Sequence, residues 1–331
     1  MQYHKEMSTR IIKIVVAVLF LTTTASSQDI HFADVGTMNI LNNQALKLQG
    51  RPDFRLGFRD IKYQTLSTFR TAGGLVNVPI RFGEGSGDGS DQSFLNVTLG
   101  GMMDKTNKGV FKSNTGMIGM GYAQRLTDNN LFLSVGFQGA FSRTTVGGTG
   151  FLYPDQFNQY GQLPSQTQDP LGAGRNYNWL SLNAGLSVFQ NLEERQWYVG
   201  ASVRHINRPF TDELKTETFR ILPTYGVQAG MNFLSDQGEF MFFGLGNWKA
   251  AVQEYVVGGR IIKYVSGTRA DNNVVAVGVG LSMRVNDALI PNILLRYNNT
   301  NIGIFYDVNV GGIRAAGFRR QGFEFTLSQT F

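Results

Sequence analysis

Strict two-residue alternation, recurring in segments about ten residues long, is the feature that most limits what this chain can fold into. "LFLSVGFQGAF" places Leu131, Leu133, Val135, Phe137 and Phe141 in one phase, and Phe132, Ser134, Gly136, Gln138 and Ala140 in the other. "LSLNAGLSV" from residue 180, "VAVGVGLSMRV" from residue 275 and "NIGIFYDVNV" from residue 301 repeat the pattern. So does "GFEFTLSQTF" at residues 322–331, where only Gln329 breaks the apolar phase. In a strand the two phases are opposite faces, one oily and one wet. The wet face decides the class. A soluble sheet would fill it with Lys, Glu and Thr, whereas here it is largely Gly, Ala, Ser and Asn with an occasional charge. Small polar residues suit the crowded interior of a closed barrel, and segments of this length cross a bilayer when tilted.

Composition and the first residues agree with that reading. The 331 residues include 40 Gly, 8 Pro and no Cys, with 16% charged against a typical value of about 25%. Without Cys there are no disulfides, thiolate metal sites or lipid-modified Cys. "MQYHKEMSTRIIKIVVAVLFLTTTASSQ" reads as a basic n-region, an apolar run from Ile11 to Leu21, and small residues Ala25 and Ser27 before a cleavage site at Gln28. Residues 1–27 are therefore expected to be a cleaved signal peptide. The leader carries two of the six net positive charges, which leaves an excess of +4, too small to argue for nucleic acid. Beyond it, no apolar run approaches the roughly 20 residues of a spanning helix, so any membrane crossing must use strands in a closed barrel.

The alternation predicts strands near residues 54–65, 69–82, 93–104, 115–126, 130–143, 178–190, 195–206, 220–233, 239–250, 253–265, 273–285, 291–298, 301–310 and 322–331. That is an all-β, antiparallel transmembrane barrel of about 14 strands over residues 54–331. Every second connection is a polar turn: "GEGSGDGSD", "TDNN", "NLEER", "SDQG", "GTRADN" and "NNTN". The alternate set includes the long ones, at residues 144–178 and 207–219. Outer-membrane barrels have short periplasmic turns and longer outer loops, so both ends of the barrel domain are expected to face the periplasm. Residues 28–53 do not alternate; they are expected to form a periplasmic lead-in or a segment inserted in the lumen, with the lumen favoured.

Several side chains are candidates for function. Arg59, Arg284, Arg296, Asp307 and Glu324 fall in the lumen phase, with Arg59 closing the ring beside Glu324. They read either as paired charges bracing the lumen or as a docking surface for a plug or client segment, since unpaired charge there is costly. Phe151, Tyr153, Phe157 and Tyr160 in one outer loop, and Arg314, Phe318, Arg319 and Arg320 in another, have the composition of a binding surface. The same residues also suit contact with lipopolysaccharide phosphates or packing over the barrel mouth. His205, with Asn207 nearby, has no Ser placed beside it by sequence; sharing a phase with Trp197, Val199 and Val203, it reads as a strand end near a membrane interface. With His4 in the leader and only His31 and His205 left, a His-based metal site is not expected, and "GEGSGDGSD" lacks the last Glu of a calcium loop. No cofactor is expected.

Four stretches are more specific than a generic barrel: "FLYPDQFN" at 151–158, "MMDKTNKGVF" at 102–111, "VRHINRPFTDE" at 203–213, and "NDALIPN" with "IFYDVNVGGIRAAGFRRQGFEFTLS" between residues 286 and 328. Together, in their order along the chain, they resemble the PorP/SprF family of the type IX secretion and gliding machinery of Bacteroidota. The motif positions here include Asp104, Lys105, His205, Asn207, Arg208 and Pro209. "QDIHF" at Gln28–Phe32 is similar to the family opening, with Ile30 in place of Pro; "NNQALKLQG" lacks the Pro of an early Asn-Pro-Ala element, and "DKTNKG" stands for an Asp-Lys-Ala-Gly turn. The resemblance implies a non-enzymatic outer-membrane component that helps secrete or anchors an adhesin-like partner at the cell surface. Its implied partners are the translocon barrel, periplasmic ring components, a peptidoglycan-associated protein and the C-terminal region of the secreted adhesin, within a membrane of outer-membrane lipid and lipopolysaccharide. A porin or solute-specific channel is the alternative, and a soluble adhesin of β-repeats the third reading.

Overall fold

The computed structural model describes residues 32–331 except residue 49 and residues 64–67, 83–92, 107–108, 148–153, 159, 163–166, 169–173, 212–219, 269–272 and 312–319. The expected signal peptide, His31, the "GEGSGDGSD" turn, Phe151, Tyr153, Arg314, Phe318 and Arg319 lie outside the described residues. Fourteen strands close into one antiparallel barrel: β1 (Asp53–Tyr63), β2 (Thr68–Phe82), β3 (Ser93–Thr106), β4 (Phe111–Thr127), β5 (Leu131–Val146), then β8 (Arg175–Asn191), β9 (Arg195–Arg204), β10 (Thr224–Leu234), β11 (Gly238–Lys249), β12 (Val252–Ser266), β13 (Val275–Arg284), β14 (Ala288–Tyr297), β15 (Thr300–Asn309) and β16 (Arg320–Thr330). Between β5 and β8 the long loop carries a two-stranded hairpin, β6 (Phe157–Asn158) and β7 (Gly161–Gln162). Each barrel strand pairs with its neighbours in sequence, and β1 pairs with β16 over eleven residues, so no edge is left unpaired. Closure is what permits a sheet in hydrocarbon, where no water satisfies an open edge. Tight turns are made at Asn130, Asn286 and Asn298, each with positive φ, which Asn tolerates better than bulkier residues.

The two phases separate as the lipid solvent demands. Large apolar side chains point outward and are exposed, among them Phe137 at 66%, Leu99, Ile118, Phe141, Ile261 and Val279. The buried phase holds Asn77, Asn96, Thr98, Ser181, Ser187, Ser282 and Glu324. A chain that exposes its hydrophobes and buries its polar groups has its packed interior in the lumen and its oily surface against lipid. The longest connections, β5 to β8 and β9 to β10, leave from the end opposite Pro52 and Phe331. That end is the outer one, and the short turns after β4, β8, β10 and β14 are periplasmic.

Residues 32–48 lie inside the barrel. Phe32, Asp34, Val35, Met38, Ile40, Ala45 and Leu46 are all buried, and their partners are lumen-phase residues of the wall. From the periplasmic mouth the segment first meets Phe94, Phe132 and Phe189, where Leu48 rests on a cluster whose Phe132–Phe189 pair is stacked at 5.0 Å. It then runs along β3–β9, makes one helical turn, α1 (Asn39–Asn42), and crosses to β11–β16. There Val35 packs on Phe243, Leu245 and Val256, and Ala33 on Ala288, Ile290 and Phe305.

Candidate functional site: a filled lumen with an ionic rim

The wall is cut back where the inner segment touches it. A Cβ added at Gly136 would lie 2.7 Å from the Ala45 amide nitrogen, and one at Gly121 would lie 2.9 Å from the Gln44 carbonyl oxygen. Gly119, Gly185 and Gly200 likewise face Gln44 or Asn43. These glycines occupy the lumen phase of β4, β5, β8 and β9, so the small-residue face read from sequence is here the seat of a chain segment. Polar atoms complete the seat. Ser187 Oγ donates to the Ala45 carbonyl at 2.7 Å, and Asn43 Nδ2 donates to the Leu186 and Ala201 carbonyls at 3.3 and 3.2 Å. Gln44 Nε2 donates to Thr98 Oγ1 at 2.7 Å, Thr98 to Asn77, and Asn77 to Asp53. Asp53 also pairs with Lys47 and Arg55, tying the segment to the first strand at the periplasmic mouth.

On the opposite wall the segment is latched by charge. Asp34 accepts from Arg260 Nη2 at 2.7 Å, from Thr326 Oγ1 at 2.9 Å and from the Thr37 amide at 3.1 Å. The amides of Ala33 and Asp34 both donate to the Glu324 carboxylate, at 2.7 and 2.9 Å. Asp34 is fully buried and Arg260 nearly so; removing either partner of such a pair strands the other, at a cost of about 3–5 kcal/mol.

Outside this latch lies a cluster at the outer rim. Arg284 reaches Asp287 at 2.8 Å, Asp307 at 3.3 Å and Glu254 at 3.4 Å; Arg320 reaches Asp287 at 2.8 Å and Asp307 at 3.1 Å. Arg59 approaches Glu324 at 3.9 Å and Asp307 at 4.0 Å, and Arg59 and Glu324 are register partners across the β1–β16 closure. Asp287 sits in the turn between β13 and β14. Partial burial pushes its carboxyl up, but the hydrogen bond and charge of Arg320, with Arg284, outweigh that and hold it below its usual range.

Of the expected lumen charges, Arg59, Arg284, Asp307 and Glu324 therefore meet. Arg296 does not join them: it lies at the periplasmic end of β14, pairs with Glu239 and donates to Asn301 at 2.8 Å. Arg320 requires correction. It was expected in an outer loop, yet it opens β16 in the lumen phase and is buried, because the pull of two carboxylates holds its guanidinium inward. Glu254, Arg260 and Asp34 were missed. Glu254 and Arg260 were readable, since the alternation of β12 puts both inward with Val256 and Ile262; Asp34, in a segment without alternation, gave no such signal.

His205 stands at a strand end, as the sequence suggests, but its side chain leaves the outward phase. It lies just past β9 with φ of 57°, which ends the strand phase and turns the ring inward, where Nδ1 is 2.7 Å from Ser181 Oγ. Asn207 bridges back to β8, accepting from the Leu182 amide at 3.0 Å and donating to the Leu180 carbonyl at 2.6 Å. Arg208 also has positive φ and donates its amide to the His205 carbonyl, while the Pro209 carbonyl accepts from the Ile221 amide. "HINRP" is thus a turn that fastens β9 to β8. Asp104 is buried and accepts from Thr71 at 2.9 Å; Lys105, the next residue, is exposed on the outer face. Phe157 and Tyr160 are exposed on the β6–β7 hairpin. Among the described residues no group of His, Cys, Asp and Glu could hold a metal ion.

A closed antiparallel barrel with a lipid-facing apolar surface and a polar, chain-filled lumen is an outer-membrane β-barrel. The model of the family described as type IX secretion system membrane protein PorP/SprF matches residues 84–328, and the chain belongs to that family. No protein of curated function matches the sequence. Among solved structures, the chain is similar to the β domain of the Bordetella autotransporter BrkA, with 10% identity, 86% of this chain and 100% of that chain covered, and a TM-score of 0.43. It is also similar to the translocator domain of the autotransporter NalP from Neisseria meningitidis (10% identity, 89% and 93% covered, TM-score 0.37). A third is the outer membrane protein Omp33 of Acinetobacter baumannii (11% identity, 86% and 99% covered, TM-score 0.37).

Proposed function

We propose that this type IX secretion protein is a non-enzymatic barrel that helps export, or anchors at the cell surface, one adhesin-like secreted partner. It would act with the translocon and the periplasmic ring components, and would engage the C-terminal region of that partner. The observation that supports this over a solute channel is the filled lumen: residues 32–48 occupy the path a solute would take, on a wall shaped to receive them. The non-enzymatic reading rests on access. The Ser181–His205 pair has the atoms of a nucleophile and a base, but Ser181 is 1% exposed in the wall, so no substrate reaches its hydroxyl. Deleting the gene is expected to leave the translocon assembled and to release or trap one surface adhesin, read by proteomics of the cell surface and medium. An unchanged surface proteome would overturn the proposal.

A further inference from the structure

The lipid-facing surface of β1–β5 carries cations where strand pairing disfavours them. Arg70 on β2 stands directly opposite Lys105 on β3, and Lys105 directly opposite Lys112 on β4. Lys62 on β1 and Arg143 on β5 flank this row, and all five side chains are exposed in the outward phase. The single acid among them is Asp60, 3.0 Å from Arg70. Among the described residues no carboxylate pairs with Lys62, Lys105, Lys112 or Arg143. Like charges facing each other across antiparallel strands destabilise the sheet, and a bridging anion reverses the sign of that interaction.

Depth identifies where the row lies. On β2 the outward residues from Ala72 to Phe82 are Ala72, Gly74, Val76, Val78, Ile80 and Phe82. At about 3.3 Å per residue and a tilt near 40°, that run covers about 25 Å, the height of the apolar band. Arg70 follows it immediately at the outer end, so the row sits at the headgroup level of the outer leaflet. Beneath it a groove of about 400 Å³ is walled by Phe58, Ala72 and Met103, with Asp60, Arg70 and Lys105 at its mouth. Among the described residues, the outward positions at the same end of β10–β16 carry no such row of cations, but Tyr225, Trp248, Tyr255, Tyr306 and Phe323.

We propose that Arg70, Lys105 and Lys112, flanked by Lys62 and Arg143, bind the phosphorylated headgroup of an outer-leaflet glycolipid whose acyl chain lies in the Phe58–Ala72–Met103 groove. The site is independent of the secretion role and stands on the outside of the barrel. Native mass spectrometry of the full barrel in detergent tests it, with bis-phosphorylated hexa-acylated lipid A, its dephosphorylated form and inorganic phosphate as probes. Wild type is expected to retain one lipid A, and the dephosphorylated form to bind at least about tenfold more weakly. The triple variant Arg70→Gln/Lys105→Gln/Lys112→Gln is expected to lose at least about tenfold in affinity, while Lys263→Gln, an outward lysine at the periplasmic end, changes nothing. Retained faster migration of the unheated triple variant shows that it folds; should it not fold, Lys112→Gln alone is expected to weaken binding about threefold. Equal binding by the dephosphorylated lipid, or by the triple variant (or by Lys112→Gln where that stands in), would overturn the site, and inorganic phosphate binding as tightly as lipid A would overturn the lipid as its ligand.

Discussion

At Gly136 the wall has no room for a methyl group, because the backbone of Gln44 and Ala45 already fills the space. Gly136→Val is therefore expected to push the inner segment off its seat, at an overpacking cost of about 1–3 kcal/mol. Since the chain lacks Cys, an Ala45→Cys reporter reads this directly: maleimide labelling in the folded barrel should speed up about tenfold, and unchanged labelling would show that the seat yields instead. Asp287 makes a second residue-scale prediction. Its folded carboxyl titrates below the ordinary carboxylate range, so its contribution is fully present above the unfolded value and is lost as pH falls through the folded one. The heat-unfolding temperature of Asp287→Asn should accordingly lie below wild type near neutrality and converge with it in strong acid. A constant gap at all pH values would mean that the charge of Asp287 is not what braces the rim. Neither contact was legible in the chain: Gly136 could be assigned to the inner face, but its neighbour lies 91 positions away, and Asp287 belongs to a turn that has no phase.

Strands were the most readable level, because alternation is local and the bilayer punishes any departure from it. Fourteen were expected and fourteen close the barrel. The start of β14 shows where the signal weakens. The alternation places its start near residue 291, whereas the strand begins at Ala288; Pro291 has no amide to donate, and the ladder to β15 lapses between Leu289 and Asn292. The β6–β7 hairpin was not foreseen, since two-residue strands carry no period. Phase also makes a testable contrast. Phe137 is exposed to lipid in mid-strand, so Phe137→Lys is expected to cost about 2–4 kcal/mol in a folding titration into bilayers. Lys at Gln138, which faces the lumen, avoids the hydrocarbon; equal penalties at the two positions would contradict the assigned faces.

For the whole molecule, the consequence is a barrel whose lumen holds a segment of its own chain. Deleting residues 32–48 is expected to leave a folded barrel that still migrates faster unheated, because every strand keeps both partners. In planar bilayers that variant should conduct steadily and the intact protein should be silent; a silent deletion variant would mean that something other than this segment blocks the path. What the sequence by itself determined was the architecture: a closed antiparallel barrel, its strand number, and which phase of each alternating segment faces the lumen. These follow from a two-residue period and from the need to pair every backbone group in lipid. Only the tertiary structure decided which residues meet across the lumen: Asp34 with Arg260, Arg320 with Asp287 and Asp307, His205 with Ser181. Phase says whether a side chain points inward, but its partner depends on depth and on angle around the ring, and those are fixed only when the sheet closes on the segment inside it.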